Sequence, residues 1–274
     1  MEKIEKGDIV VRKSHNEDIL FKVEKIYADK YGKNVAILRG LTIRIMADSY
    51  EEDLVVLDKK YARDSLKFFD TRIDTRINEL FNKKLNKYKK EKNYADFRTG
   101  RILHLDGDKM YSEKSAKYYK KIGLNAIVKN VSESKQPLLI KEYIMKYDPD
   151  ILILTGHDGM IKKGIRFGDL NNYRNSKYFV QGVTEARKII PSSNKLAIFA
   201  GACQSFFEAI MVSGANFASS PGRILIDFMD PLIVAEKIAV TDRNKFITIN
   251  DIANELRDGK KSIDGSGVTG KKNM

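Results

Sequence analysis

The chain lacks the materials for several kinds of protein. It has one cysteine, Cys203, in 274 residues, which excludes an intramolecular disulfide, a CxxC redox pair and a cysteine-rich zinc site. Three dispersed histidines and no HExxH string argue against zinc. There is no GxGxxG after a first strand and no GxxxxGK[ST], so nucleotide binding has no motif behind it. No apolar run approaches the roughly 18–20 residues that span a bilayer. The opening MEKIEKGDIV has no apolar stretch of the kind found in signal peptides. A soluble cytoplasmic protein with no cofactor and no metal is expected.

What is present is basic. The formal charge is +13, which attracts polyanions such as nucleic acid, acidic lipid or acidic proteins. A Lys-rich composition produces Lys-rich surfaces without such a partner, however. The basic residues gather at 59–101 and near the C-terminus, with no aromatic-interleaved patch. Nucleic acid is therefore not expected to be the main partner.

Residues 1–58 predict a small SH3/KOW-like β-barrel: GDIVVRKS, ILFKVEKIYA, VAILRG, LTIRIMA and DLVVLD are short β-rich runs with turn signals between them. Residues 59–98 predict a basic helical connector, because Leu66, Phe69, Ile73, Ile77, Leu80, Leu85 and Tyr88 recur at mostly helical spacing. A solvated joining helix is favoured over a docking surface for an acidic partner. Residues 99–258 alternate β and α, which predicts an α/β domain with a mostly parallel sheet covered by helices on both faces. The segment ITINDIANELRDG reads as a last helix, and residues 259–274, rich in Gly, Ser and Lys, as a flexible tail.

In doubly wound sheets, ligands gather at the carboxyl ends of the strands. RILHLDGD brings Asp106 and Asp108 there, DILILTGHDG brings His157 and Asp158, and KLAIFAGACQS brings Cys203. A lone strand-end cysteine is more often structural than catalytic. Two features shift the balance: His157, 46 residues upstream, offers a general base, and the apparent helix after Cys203 offers a dipole that favours a thiolate. The oxyanion donors would be the backbone N–H of Cys203 and that of Asp158 or Gly159. Asp106, Asp108 and Asp158 are S1 candidates for an Arg side chain, although Asp106 and Asp108 equally suit the cap of the next helix. His104, inside its strand, reads as a sheet-facing residue, and His15, in a loop, as exposed.

Residue order separates the thiol enzymes. Class I glutamine amidotransferases and papain-like enzymes place Cys before His, and no histidine follows Cys203. Caspase-type peptidases place His about 50 residues before a Cys in a QAC context. GHDG followed by GACQS resembles that caspase/gingipain group. The longer strings ILHLDGD, DILILTGHDG, DLNNYRNSKYFV, FAGACQSFFEA and GANFASSPGR resemble the YabG family of sporulation peptidases, as do GDIVVRKSHNEDILFKVEKI and LRGLTIRIMADSYEEDLVVL near the start.

The resemblance implies a caspase-like fold and a cysteine endopeptidase of the mother cell that processes spore coat and spore-associated proteins. It also implies a His157–Cys203 dyad, cleavage next to basic residues and self-processing. One departure from the caspase-type pattern is Asp158, which stands where a Gly usually follows the His. The competing reading is a binding protein that docks on RNA or acidic coat proteins through the barrel and connector.

Overall fold

The computed structural model describes residues 3–90, 99–161 and 167–272, the side chains of 83–90 excepted. The part of the predicted connector at 91–98 lies outside these residues.

The N-terminal strands are β1 (Ile9–Arg12), β2 (Phe21–Ala28), β3 (Asn34–Gly40), β4 (Met46–Tyr50) and β5 (Leu54–Val56). They pair antiparallel in the order β4-β3-β2-β1-β5. Among the described residues β4 and β5 pair neither with each other nor with a further strand, so the sheet stays open and the expected closed barrel is not formed. Part of the reason is that β4 begins against a loop of the α/β unit rather than against β5: the Met46 N–H donates to Asp158 O at 2.7 Å. LTIRIMA is also not one strand. Gly40 N–H donates to Ile45 O (2.8 Å) and Ile45 N–H to Ile43 O (2.9 Å), which folds residues 41–45 into a tight loop.

Helix α1 (Lys59–Lys90) is the predicted connector, but it is not a solvated strut. Ile73 and Ile77 are buried. Asp74 takes Lys114 (2.8 Å) and Lys117 (2.7 Å) from α2 (Lys109–Lys121), and Arg76 pairs with Asp227 at 2.5 Å.

The α/β unit runs β6 (Ile102–Asp106), α2, β7 (Ala126–Asn130), α3 (Gln136–Tyr147), β8 (Ile151–Thr155), α4 (Ser176–Ile189), β9 (Ala197–Ala200), α5 (Phe207–Val212), β10 (Phe217–Ser219) and α6 (Asp230–Val240). After these come β11 (Phe246–Ile247), β12 (Ile263–Gly265) and β13 (Val268–Thr269). The sheet order is β7-β6-β8-β9-β10-β12, parallel except for the antiparallel edge β12. Side chains alternate across it: Ile151 and Ile153 join the core with α1, α2 and α6, while Leu152 and Leu154 join the core with α3 and α4.

Two expectations at the C-terminal end are corrected. The last predicted helix is a pair of 3-10 turns, Ile249–Asp251 and Ala253–Glu255, the first closed by reciprocal bonds between Thr248 and Asp251. Residues 259–272 are not a mobile tail, since β12 completes the sheet and β13 pairs with β11. Lys271 is buried, its ammonium donating to Asn194 O at 3.0 Å. Apolar positions such as Ile263 and Val268, both buried, outweigh the Gly/Ser content here. Among the described residues no helix is long and apolar enough to cross a membrane.

Candidate active site

The parallel register brings three strand ends to one edge. Asp106 closes β6 opposite Thr155 of β8, and β8 pairs directly with β9. His157 follows β8 by two residues and Cys203 follows β9 by three. The His157 N–H is fixed by the buried Glu133 carboxylate at 2.7 Å. Gly107 and Gly156 lie so close to Glu133 that any Cβ at either would collide with it.

The His157 ring is buried, and its Nε2 lies 2.8 Å from Gly40 O. A carbonyl only accepts, so Nε2 carries the proton and Nδ1 holds a lone pair. Nδ1 has no partner. Burial, joined by the Arg39 charge, lowers the His157 pKa to about 3, so the ring is neutral at pH 7.

Cys203 is fully buried. Its sulfur accepts the Ile226 N–H at 3.3 Å and makes no hydrogen bond to His157. Burial pushes the thiol up to about 12, against the opposing pull of Ile226 and Arg44. The helix-dipole expectation does not hold, because α5 starts only at Phe207 and has 6 residues. The turn that delivers Cys203 depends on Gly201, whose φ of +116° suits glycine and whose missing Cβ makes room for Ser219.

The acids divide by role. The Asp158 carboxylate points into the fold and accepts from the Gly159 N–H (2.8 Å), the Asn175 N–H (2.8 Å), Ser176 Oγ (2.5 Å) and Ser205 Oγ (2.9 Å). Burial raises its pKa while these donors oppose the rise. That geometry does not leave it free as an S1 acid, and it engages the Gly159 N–H as well. Asp108 caps α2 through the Tyr111 N–H (3.1 Å) and pairs with Arg39 at 3.4 Å. Asp106 is fully buried. It accepts from the Asp108 N–H (2.8 Å), Thr155 Oγ1 (2.9 Å) and Arg44 Nη1 (2.5 Å). Burial pushes its carboxyl up, but Arg44, with a smaller pull from His104, holds it below the usual range. His104 is a buried sheet residue between Thr155 and Tyr119.

Sequence reasoning missed the residue at the centre of this site, Arg44. It is 1% exposed, its guanidinium sits on Asp106, and it lies over the rings of Tyr111 (4.4 Å) and Phe228 (5.7 Å). Its carbonyl accepts the Asp158 N–H at 3.3 Å, and Ile45 bridges Asp158 in parallel. Both Cys203 and His157 feel its charge. The only sequence signal was a charge inside an apolar run, LTIRIM. Gly40, Tyr111, Glu133 and Phe228 carried no signal, because each acts through backbone position or through contacts with distant elements. Among the described residues no cluster of three or more His, Cys, Asp or Glu could hold a metal.

This geometry can be set beside known proteins. The profile described as YabG peptidase U57 matches residues 5–274. The chain belongs to the YabG peptidase family. It is 38% identical over 272 residues to the sporulation-specific protease YabG of Bacillus subtilis (strain 168), covering 94% of this chain and 93% of that one. A YabG-family chain of this kind is a peptidase, so the reading of a non-enzymatic binding protein falls away.

Proposed function

We propose that this peptidase is a cysteine endopeptidase of sporulation that cuts after arginine, with Cys203 as nucleophile and His157 as its base and acid. The observation that carries the reading is Arg44. An arginine lies with its guanidinium on a buried carboxylate and its carbonyl on the N–H that follows the histidine, which is how a P1 arginine would lie. Asp106 is then the S1 acid, with Tyr111 and Phe228 as cation–π walls.

In this mechanism Nδ1 of His157 takes the thiol proton, since Nε2–H is held by Gly40. Sulfur attacks the scissile carbonyl. The Asp158 and Cys203 N–H groups stabilise the oxyanion, and among the described residues the Cys203 N–H has no other acceptor. The imidazolium returns the proton to the leaving amine, and water then hydrolyses the thioester. The order β7-β6-β8-β9, with His and Cys at the ends of neighbouring strands, supports the caspase-like arrangement.

The substrates in this reading are spore coat and spore-associated proteins, met in the mother-cell cytoplasm, and self-processing at arginyl bonds is included. Residues 1–58 form an accessory unit, and the peptidase unit extends from 99 through β12 and β13.

A peptide panel with P1 varied tests the proposal. Arg over Leu by at least tenfold, and no turnover by Cys203→Ala or His157→Ala, are expected. Equal rates for Arg and Leu would remove the S1 assignment, and turnover by either variant would remove the dyad.

A further inference from the structure

In the state described, both reacting groups are covered. Cys203 packs in one apolar cluster with Ile45, Phe21 and Ile226, so the N-terminal sheet forms its lid. Thiol and imidazole are both neutral there, and the pocket that would take a substrate's arginine already holds Arg44. The chain around Arg44 is not stretched as a peptidase's substrate is. Ile45 N–H donates back to Ile43 O at 2.9 Å, so the backbone doubles over.

On the reading above, we propose that residues 41–45 are a built-in blocking segment: Arg44 fills the enzyme's own arginine pocket in cis, and activity begins when the segment leaves. Two features make departure feasible. Arg44 Nε and Nη2 are buried without partners, so the plug is incompletely satisfied and desolvation weakens its hold. The seam around it is also held by polar pairs at its margins, Arg39 to Gly107 O (2.7 Å) and Arg174 to Asp48 (2.7 Å). A cavity of ≈ 190 Å³ lined by Thr42, Ile43, Arg44, Tyr111 and Phe228 lies directly beside the segment. Gly40 belongs to β3 rather than the loop, so it can go on orienting His157 while the loop moves.

The test uses the full chain, wild type against Arg44→Ala, with Asp48→Ala as a second variant that loosens the seam without touching the pocket. Two rates are followed: alkylation of Cys203 by iodoacetamide, and hydrolysis of a short fluorogenic peptide with Arg at P1. Both should rise at least tenfold in Arg44→Ala and by a smaller factor in Asp48→Ala. Circular dichroism identifies a variant that fails to fold, in which case Asp48→Ala decides. Unchanged alkylation and hydrolysis in a folded variant would overturn the blocking segment. Faster alkylation with no hydrolysis in either variant would keep the cover and overturn the Cys203–His157 assignment instead.

Discussion

In the six-stranded sheet, β6, β8 and β9 are buried along their whole length, whereas β2 alternates from buried Phe21 and Val23 to exposed Lys22 and Tyr27. Strands covered on both faces are fixed by apolar contact with helices. A half-covered sheet must find another surface, and here it finds the edge where the parallel strands β6, β8 and β9 end. The contact between the two extends the core of the N-terminal sheet, since Ile45, Ile226 and Cys203 share one apolar cluster with Val10, Phe21 and Leu38. It combines Ile45, Ile226 and Cys203 with a ring of ions, Arg39–Asp108, Arg44–Asp106 and Arg174–Asp48. Within the seam, the partly exposed pairs Arg39–Asp108 and Arg174–Asp48 lose little net free energy when they re-form with water, while Arg44–Asp106 and the apolar cluster around Cys203 supply most of its hold.

Experiments that break the α/β side should have the largest effects. On the proposed dyad, Cys203→Ala or His157→Ala should reduce hydrolysis by at least about 10³-fold, and His157→Ala, which empties a fully buried site, should also lower the melting temperature. Asp106→Asn should cost about 3–5 kcal/mol in urea unfolding, because it strands the buried Arg44 charge, and it should flatten any preference for arginine. Ile153→Ala, in the middle of β8, should cost about 2–5 kcal/mol through cavity formation.

Acid titration probes both sides of the seam. Burial lowers the pKa of His104 to about 4 and of His157 to about 3, both from 6.5. Below pH 6.5 the unfolded chain therefore binds more protons than the folded one. Stability should fall as pH drops from 6.5 towards 3–4. The raised carboxyls of Glu133 and Asp158 oppose this at the acid end. An NMR titration that finds either imidazole protonating at about pH 6.5 would show that the histidines are hydrated. The smallest effect should come from Asp48→Ala, about 0–1 kcal/mol for a partly exposed pair, even though it accelerates Cys203 labelling.

The α/β half was legible in the sequence because long buried strands leave continuous apolar runs, ILHLD, ILILT and LAIFA, and helices leave their period. His157, Asp106 and Cys203 could be placed on one edge because parallel strands put their carboxyl ends together. Arg44 could not be assigned, because LTIRIM alternates like a strand and only Gly40 and the seam fold it into a loop. The end of the chain misled in the same way: GKKSIDGSGVTG has the composition of a tail, yet Ile263 and Val268 bury completely once Phe217 and Ile247 are in place. Composition reports what a segment can do alone, and these segments are set by partners far away in sequence.

The proposed reaction is cleavage by Cys203 after arginine in a pocket built on Asp106. The most direct measurement is mass-spectrometric mapping of every new terminus in a denatured spore-coat protein mixture, digested by the Arg44→Ala chain and, in parallel, by Arg44→Ala with Cys203→Ala. Cuts on the carboxyl side of arginine, and none in the double variant, are expected. Cuts scattered over other residues, or cuts that persist without Cys203, would contradict the proposed reaction.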